Sequence, residues 1–293
     1  VPMRFPCCIG GPEPVTSAPL QRPDVPSLNR VAGGWAGMKK VCVNGVEVEY
    51  VRLVSAHPRE DAPTMVFLHE GLGCVAMWRD FPQRVADATG CTALVYSRVG
   101  YGGSGPFREH RKPDYLHLEA VRELPALLRE LGVGKTILFG HSDGGSIALL
   151  SAALTALDPV AVVAMAPHVL VEDVTVAGVR ETQAQYLRGD MAARLGRYHR
   201  SPEVVFRAWA DIWLSPEFRA WNIEEVLPAI RCPVLAIQGE DDEYATMAQI
   251  DLIARGAPDV ELCKLADCRH SPHKDQPDAV IDAVQGFIDR ILD

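Results

Sequence analysis

Apolar positions along this chain come in short continuous runs separated by amphipathic stretches, a pattern that predicts alternating strands and helices. Val41 to Val54 alternates about Asn44-Gly45, a strong signal for a two-residue hairpin. Strand-like runs at 64–69, 92–97 and 135–140 follow. Helical segments lie between them at about 76–89 and 117–131, and Pro125 is expected to bend or interrupt the second. A buried helix begins at Gly145–Leu150, then further strands at 160–165, 233–239 and 260–265. Between His168 and about Pro228 the rhythm changes. No strand is predicted there, and several helices carry Tyr186, Tyr198, Phe206, Trp209, Trp213, Phe218 and Trp221. The pattern divides the chain into a leader (1–37), a first core part (38–167), an all-helical insertion (168–228) and a second core part (229–293).

Composition narrows the class. At 293 residues, 48% hydrophobic and 23% charged, the chain is long enough to bury an extensive core. The net charge of −9, with no run of five basic residues, argues against nucleic acid or an anionic membrane surface as partner. The eight cysteines form no CxxC pair and no compact framework, and are expected to be free thiols in a reducing, cytoplasmic setting. The first 37 residues are rich in proline and glycine and hold no sustained apolar stretch. They predict neither a secretory signal nor a membrane span, and read as a flexible leader before a natural-looking start at Met38-Lys39-Lys40.

The most specific chemical signal is Gly140-His141-Ser142-Asp143-Gly144. It fits G-x-S-x-G and stands between an apolar strand and a buried helix, the context in which a tight turn exposes a serine Oγ. An activated serine needs a base, and the base needs an acid that fixes its tautomer. Glu240-Asp241-Asp242-Glu243 follows one downstream strand, and Asp267-Cys268-Arg269-His270-Ser271-Pro272-His273 follows the last. Both clusters sit past the carboxyl ends of strands, where open α/β sheets place their sites.

From about Met38 onward the chain resembles the α/β-hydrolase family on these motifs. The resemblance implies a mostly parallel eight-stranded sheet flanked by helices, with a helical cap inserted after strand 6. It also implies that Ser142 is the nucleophile, His270 the base and Asp242 the orienting acid. Arg269 stands where relatives commonly carry glycine. His69-Glu70-Gly71-Leu72-Gly73 after the strand at 64–69 is similar to the family's His-Gly-x segment. That similarity gives the N–H of Gly71 to an oxyanion hole, with the N–H of Asp143 as the second donor. The acid of Asp143 is compatible with a helix N-terminus. Glu70 is unexpected beside an oxyanion hole, because a carboxylate opposes the developing charge.

Alternatives remain at this stage. Asp241 competes with Asp242, and His273 competes with His270. The four acids at 240–243 are a poor calcium loop, and no metal or cofactor is expected. Gly100-Tyr101-Gly102-Gly103-Ser104-Gly105 matches G-x-G-x-x-G, but Pro106 follows directly and no helix opens to hold a pyrophosphate. The expected activity is hydrolysis of a carboxylic ester or lactone, a bulky apolar one such as a macrolide included. His168, Trp209, Trp213 and Trp221 are expected to bind this small-molecule substrate. The alternatives are a carbon–carbon bond hydrolase, a proline iminopeptidase-like peptidase, and a small-molecule receptor on a hydrolase scaffold.

Overall fold

The computed structural model describes residues 37–293, together with the backbone of a two-residue antiparallel ladder pairing Arg30–Val31 with Gly34–Trp35. The expectation of a flexible leader over 1–37 falls almost wholly outside the described residues.

The eight predicted strands form one sheet: β1 Lys39–Val43, β2 Val46–Leu53, β3 Thr64–Leu68, β4 Thr92–Tyr96, β5 Thr136–His141, β6 Ala161–Met165, β7 Val234–Gly239 and β8 Val260–Leu265. Their order is β8-β7-β6-β5-β3-β4-β2-β1. The hairpin partner β1 pairs antiparallel with β2, and β2 antiparallel with β4; every other pairing is parallel. Asn44 and Gly45 both take positive φ at the hairpin, as a two-residue loop requires.

Alternate residues of the central strands feed two cores. Met65 and Phe67, Ile137 and Phe139, and Val163 and Met165 face α1 (Phe81–Thr89) and the C-terminal helix Pro277–Leu292. Val66 and Leu68, Leu138, and Val162 and Ala164 face the opposite layer, which holds Leu124, Ile147 and Leu150. Burial on both faces explains why these strands read as continuous apolar runs.

Two predicted helices are broken. The segment expected at 76–89 is a 3-10 turn, Val75–Trp78, then α1, with Arg79 at φ 54° between them. The segment expected at 117–131 runs from α2 (Tyr115–Leu118) through a π-turn (Glu119–Glu123) into α3 (Leu124–Glu130). Pro125, which has no N–H to donate, is the second residue of α3, just past that π-turn. After β5 comes α4 (Asp143–Leu154), buried nearly throughout. Between β6 and β7 lie α5 (Asp173–Leu187), α6 (Asp190–Leu195), α7 (Pro202–Trp213) and two 3-10 turns. An isolated bridge, Leu170 to Asn222, ties the two ends of this segment. Then follow α8 (Ala248–Gly256), α9 (Pro272–Asp275) and α10 (Pro277–Leu292). Among the described residues no helix is long and apolar enough to cross a membrane.

Candidate active site

The parallel pairings bring the carboxyl ends of β3, β5, β6, β7 and β8 to one edge of the sheet. Gly71, Ser142, His168, Asp242 and His270 each follow one of these ends by a few residues. Topology therefore gathers on one rim side chains that are up to 199 positions apart in sequence.

Ser142 occupies the turn between β5 and α4 at φ 53° and ψ −118°, a conformation an L-residue holds only when its surroundings impose it. Its neighbours explain the glycines. A Cβ on Gly140 would lie 2.0 Å from the Gly144 carbonyl oxygen, and one on Gly144 would lie 2.0 Å from that of Leu68. Strand and helix can cross this closely only where side chains are missing. Gly145 is less constrained, its nearest neighbour being Pro167 Cβ at 3.0 Å.

His270 lies between serine and acid. Its Nε2 is 3.0 Å from Ser142 Oγ, and its Nδ1 is 2.9 Å from each carboxylate oxygen of Asp242. Asp242 Oδ1 also accepts the Tyr244 N–H at 2.8 Å. Burial raises the Asp242 carboxyl, but the charge and hydrogen bond of His270 and the Tyr244 N–H outweigh it, so the net shift is downward. Burial depresses His270, yet Asp242 overcomes this and leaves the imidazole above its ordinary value. Asp241 is exposed at the turn and makes no such contact. His273 is buried against Trp78, Phe81 and His141, with ring centroids 5.0, 5.5 and 4.8 Å away, and is held far below the usual histidine value by burial and by His141. The alternatives at both positions thus point elsewhere. The turn tolerates Arg269 because Asp267 takes the positive φ of 52°, while Arg269 pairs with Glu243 at 3.1 Å.

Gly71 follows β3, and a Cβ there would lie 2.2 Å from Trp209 Cδ1, so the helical insertion itself demands glycine. Among the described residues no protein acceptor is paired with the N–H of Gly71 or of Asp143. The Asp143 side chain turns inward, away from the cavity. Arg98 reaches its Oδ2 at 3.3 Å with both side chains fully buried, and Tyr115 donates to the same oxygen at 3.0 Å. Arg98 also donates to the carbonyls of His69 and Glu70, and its own N–H reaches His69 Nε2 at 3.0 Å. His69 is thereby fixed as a neutral ring donating from Nδ1 to the Glu70 carbonyl at 2.7 Å, its pKa driven well down by burial and by the Arg98 charge. Tyr101 donates to the Gly71 carbonyl at 2.8 Å. The glycine-rich loop therefore braces the Gly71 segment. No helix begins at Gly105, and the next starts at Tyr115.

A cavity of about 260 Å³ lies over Ser142, with Gly71, His168, Trp209, Trp213 and His270 on its wall. Trp221 is not on that wall. It stacks on Phe218 at 5.4 Å and meets Trp213 edge-on at 6.3 Å, which corrects the expectation that all three tryptophans face the substrate. The helical spacing that aligns Trp209 with Trp213 says nothing about Trp221, which lies beyond the end of α7. His168 packs on Trp213 at 4.8 Å and is pushed down to about 4 by burial and by the His270 charge. Thr182 and Tyr244, which bond each other through their hydroxyls, also border the cavity and were not foreseen. Arg98 was missed too, although a charged residue directly after a buried strand signals a buried ion pair. Among the described residues Cys42, Cys74, Cys91, Cys232, Cys263 and Cys268 are free thiols, and no cluster of three or more His, Cys, Asp or Glu side chains could hold a metal.

Residues 65–283 match the family described as alpha/beta hydrolase family. A 2-(acetamidomethylene)succinate hydrolase of Mesorhizobium japonicum is 22% identical over 261 residues, covering 80% of this chain and 91% of that protein. The esterase YbfF of Escherichia coli strain K12 is 25% identical over 197 residues, covering 58% of this chain and 76% of its own. Among solved structures, the enol-lactonase from Burkholderia xenovorans LB400 superposes with a TM-score of 0.69 at 19% identity, covering 86% of this chain and all of that one.

Proposed function

The chain belongs to the alpha/beta hydrolase family, and from that premise we propose that it is a serine hydrolase cleaving a carboxylic ester or lactone through an acyl-enzyme. The observation that carries this reading is the unbroken contact from Ser142 Oγ through His270 to Asp242. His270 Nε2 takes the hydroxyl proton as Ser142 attacks the acyl carbon. Asp242, an acceptor at Nδ1, keeps the proton of the neutral ring on that nitrogen and leaves the Nε2 lone pair facing the serine. The same carboxylate stabilises the imidazolium once it forms. The N–H groups of Gly71 and Asp143 then hold the oxyanion. His270 returns the proton to the leaving alcohol, and water, deprotonated by the same ring, releases the acid.

The cavity argues for substrate size. At about 260 Å³ it falls just below the roughly 300–1,000 Å³ of sites that enclose drug-sized ligands, so a modest acyl group suits it better than a macrolide ring. Trp209 and Trp213 supply an apolar wall for that group. The neutral ring of His168 offers one polar contact. The pairing of Asp143 with Arg98 removes a bare charge from beside the proposed oxyanion hole.

A fluorophosphonate probe followed by peptide mapping tests the reading. Modification confined to Ser142, with hydrolysis of simple esters and lactones detected by mass spectrometry, is the expected result. Labelling at another residue, or no turnover on a broad ester panel, overturns it.

A further inference from the structure

Glu70, unexpected in the sequence, ends beside a second histidine. His141, the residue before Ser142, places its Nε2 2.8 Å from the backbone carbonyl of His270. A carbonyl only accepts, so that nitrogen carries the hydrogen. Its Nδ1 then presents a lone pair and lies 3.7 Å from Glu70 Oε2, the separation expected of two acceptors that share no proton. The Glu70 carboxylate is tucked under the oxyanion segment, where a Cβ on Gly73 would come within 2.2 Å of its Oε2. The His141 ring stands 5.3 Å from the His270 ring. Glu70, His141 and His270 therefore link the segment after β3, the serine turn and the segment after β8.

We propose that Glu70 and His141 are positioning residues for His270: the His141 Nε2–H pins the His270 backbone, and the Glu70 carboxylate, held beside His141, adds to the stabilisation of the imidazolium. This rests on the proposed serine chemistry. It also gives a reason for an acid near the oxyanion hole, where its repulsion of the developing oxyanion is offset by its attraction for the imidazolium formed in the same step.

Charge accounting agrees. Burial raises the Glu70 carboxyl, but the charge of Lys274 works against it and the net shift is downward, so the group is ionised. Burial keeps His141 below the usual histidine value against the pull of Glu70, so the ring does not cancel that negative charge. The groups facing His270 are Asp242, Glu243 and Tyr244 after β7, His168 after β6, His141 at the end of β5 and Glu70 after β3. Lys274 on α9 is the nearby cation that partly screens Glu70.

The test is the pH dependence of p-nitrophenyl acetate hydrolysis by the full chain, with fluorophosphonate labelling of Ser142 run in parallel. Glu70→Gln is expected to move the acid inflection of kcat/KM down by about half a unit, with Glu70→Asp restoring it. His141→Phe, which keeps the ring but loses the Nε2–H, is expected to lower kcat about tenfold with little change in KM. A Glu70→Gln inflection coincident with the wild type, or wild-type kcat in His141→Phe, overturns the proposal. If Glu70→Gln does not fold, His141→Phe decides alone. A wild-type protein that neither labels at Ser142 nor turns over would instead sink the proposed function, so the two failures are distinguishable.

Discussion

Single residues carry the proposed chemistry, and their substitution has unequal consequences. Ser142→Ala adds no bulk to the turn, so it is expected to fold and to lose turnover by about 10⁴-fold or more; a variant keeping a tenth of wild-type activity would remove Ser142 from the mechanism. Asp242→Asn is expected to cost far more activity than Asp241→Asn, because only Asp242 reaches His270 Nδ1 while Asp241 faces solvent. Equal losses would show that the acid had been misplaced. His270 sits above its ordinary value, and a general base must be unprotonated. Activity should therefore be full at alkaline pH and fall as pH drops through an inflection above the usual histidine value of about 6.5. In Asp242→Asn the residual activity should show that inflection at lower pH, since the charge that raises it is gone. A pH–rate profile of both proteins measures the direction.

At the scale of elements, the serine turn and α7 behave differently. Gly144→Ala would drive a methyl group into the Leu68 carbonyl, and backbone cannot rotate away as a side chain can. It should disturb β3, α4 and Ser142 together, seen as lost labelling and a lower melting temperature. Trp209 and Trp213 share one face of α7, yet only Trp213 anchors a polar chain, donating from Nε1 to Tyr115 OH at 3.0 Å, which in turn reaches Asp143. Trp209→Leu is expected to reduce kcat/KM for a bulky ester more than for a small acetate ester. Trp213→Leu should reduce both and lower stability, because it removes a large buried ring and the hydrogen bond that Tyr115 OH accepts, although Tyr115 keeps its bond to Asp143. If Trp209→Leu also reduces both equally, with a lower melting temperature, that ring is core packing and not substrate wall.

Across the whole molecule, the Arg98–Asp143 pair holds the segments after β3 and β4 against the serine turn. Both side chains are fully buried. Arg98→Met removes the fully buried counter-charge and leaves Asp143 only the more distant Arg111 at 4.0 Å and the Tyr115 hydroxyl, a loss of up to about 3–5 kcal/mol by urea unfolding. Arg98→Met combined with Asp143→Leu removes the buried carboxylate as well but leaves Arg111 without its partner, and should recover only part of that stability. If the double variant is no more stable than Arg98→Met, the arginine acts mainly through the His69 and Glu70 carbonyls and not through the ion pair.

The sequence by itself determined the alternating α/β architecture, because strands buried on both faces must be written as continuous apolar runs and the hairpin as Asn44-Gly45. It also disclosed the serine turn at 140–144, where Gly140 is forced by the Gly144 carbonyl four residues on, although Gly144 itself is forced by the distant Leu68 carbonyl. Tertiary structure decided the rest. Which of Asp241 and Asp242, and which of His270 and His273, come into contact with one another depends on which way a turn aims adjacent side chains, and the pairing of β7 with β8 brings those two loops together. The pairing of Glu70 with His141, of Arg98 with Asp143, and the exclusion of Trp221 from the cavity join segments far apart in the chain. No local pattern of apolar and polar positions encodes such contacts, because they exist only once the sheet has set its strand order and drawn the loops to a common edge.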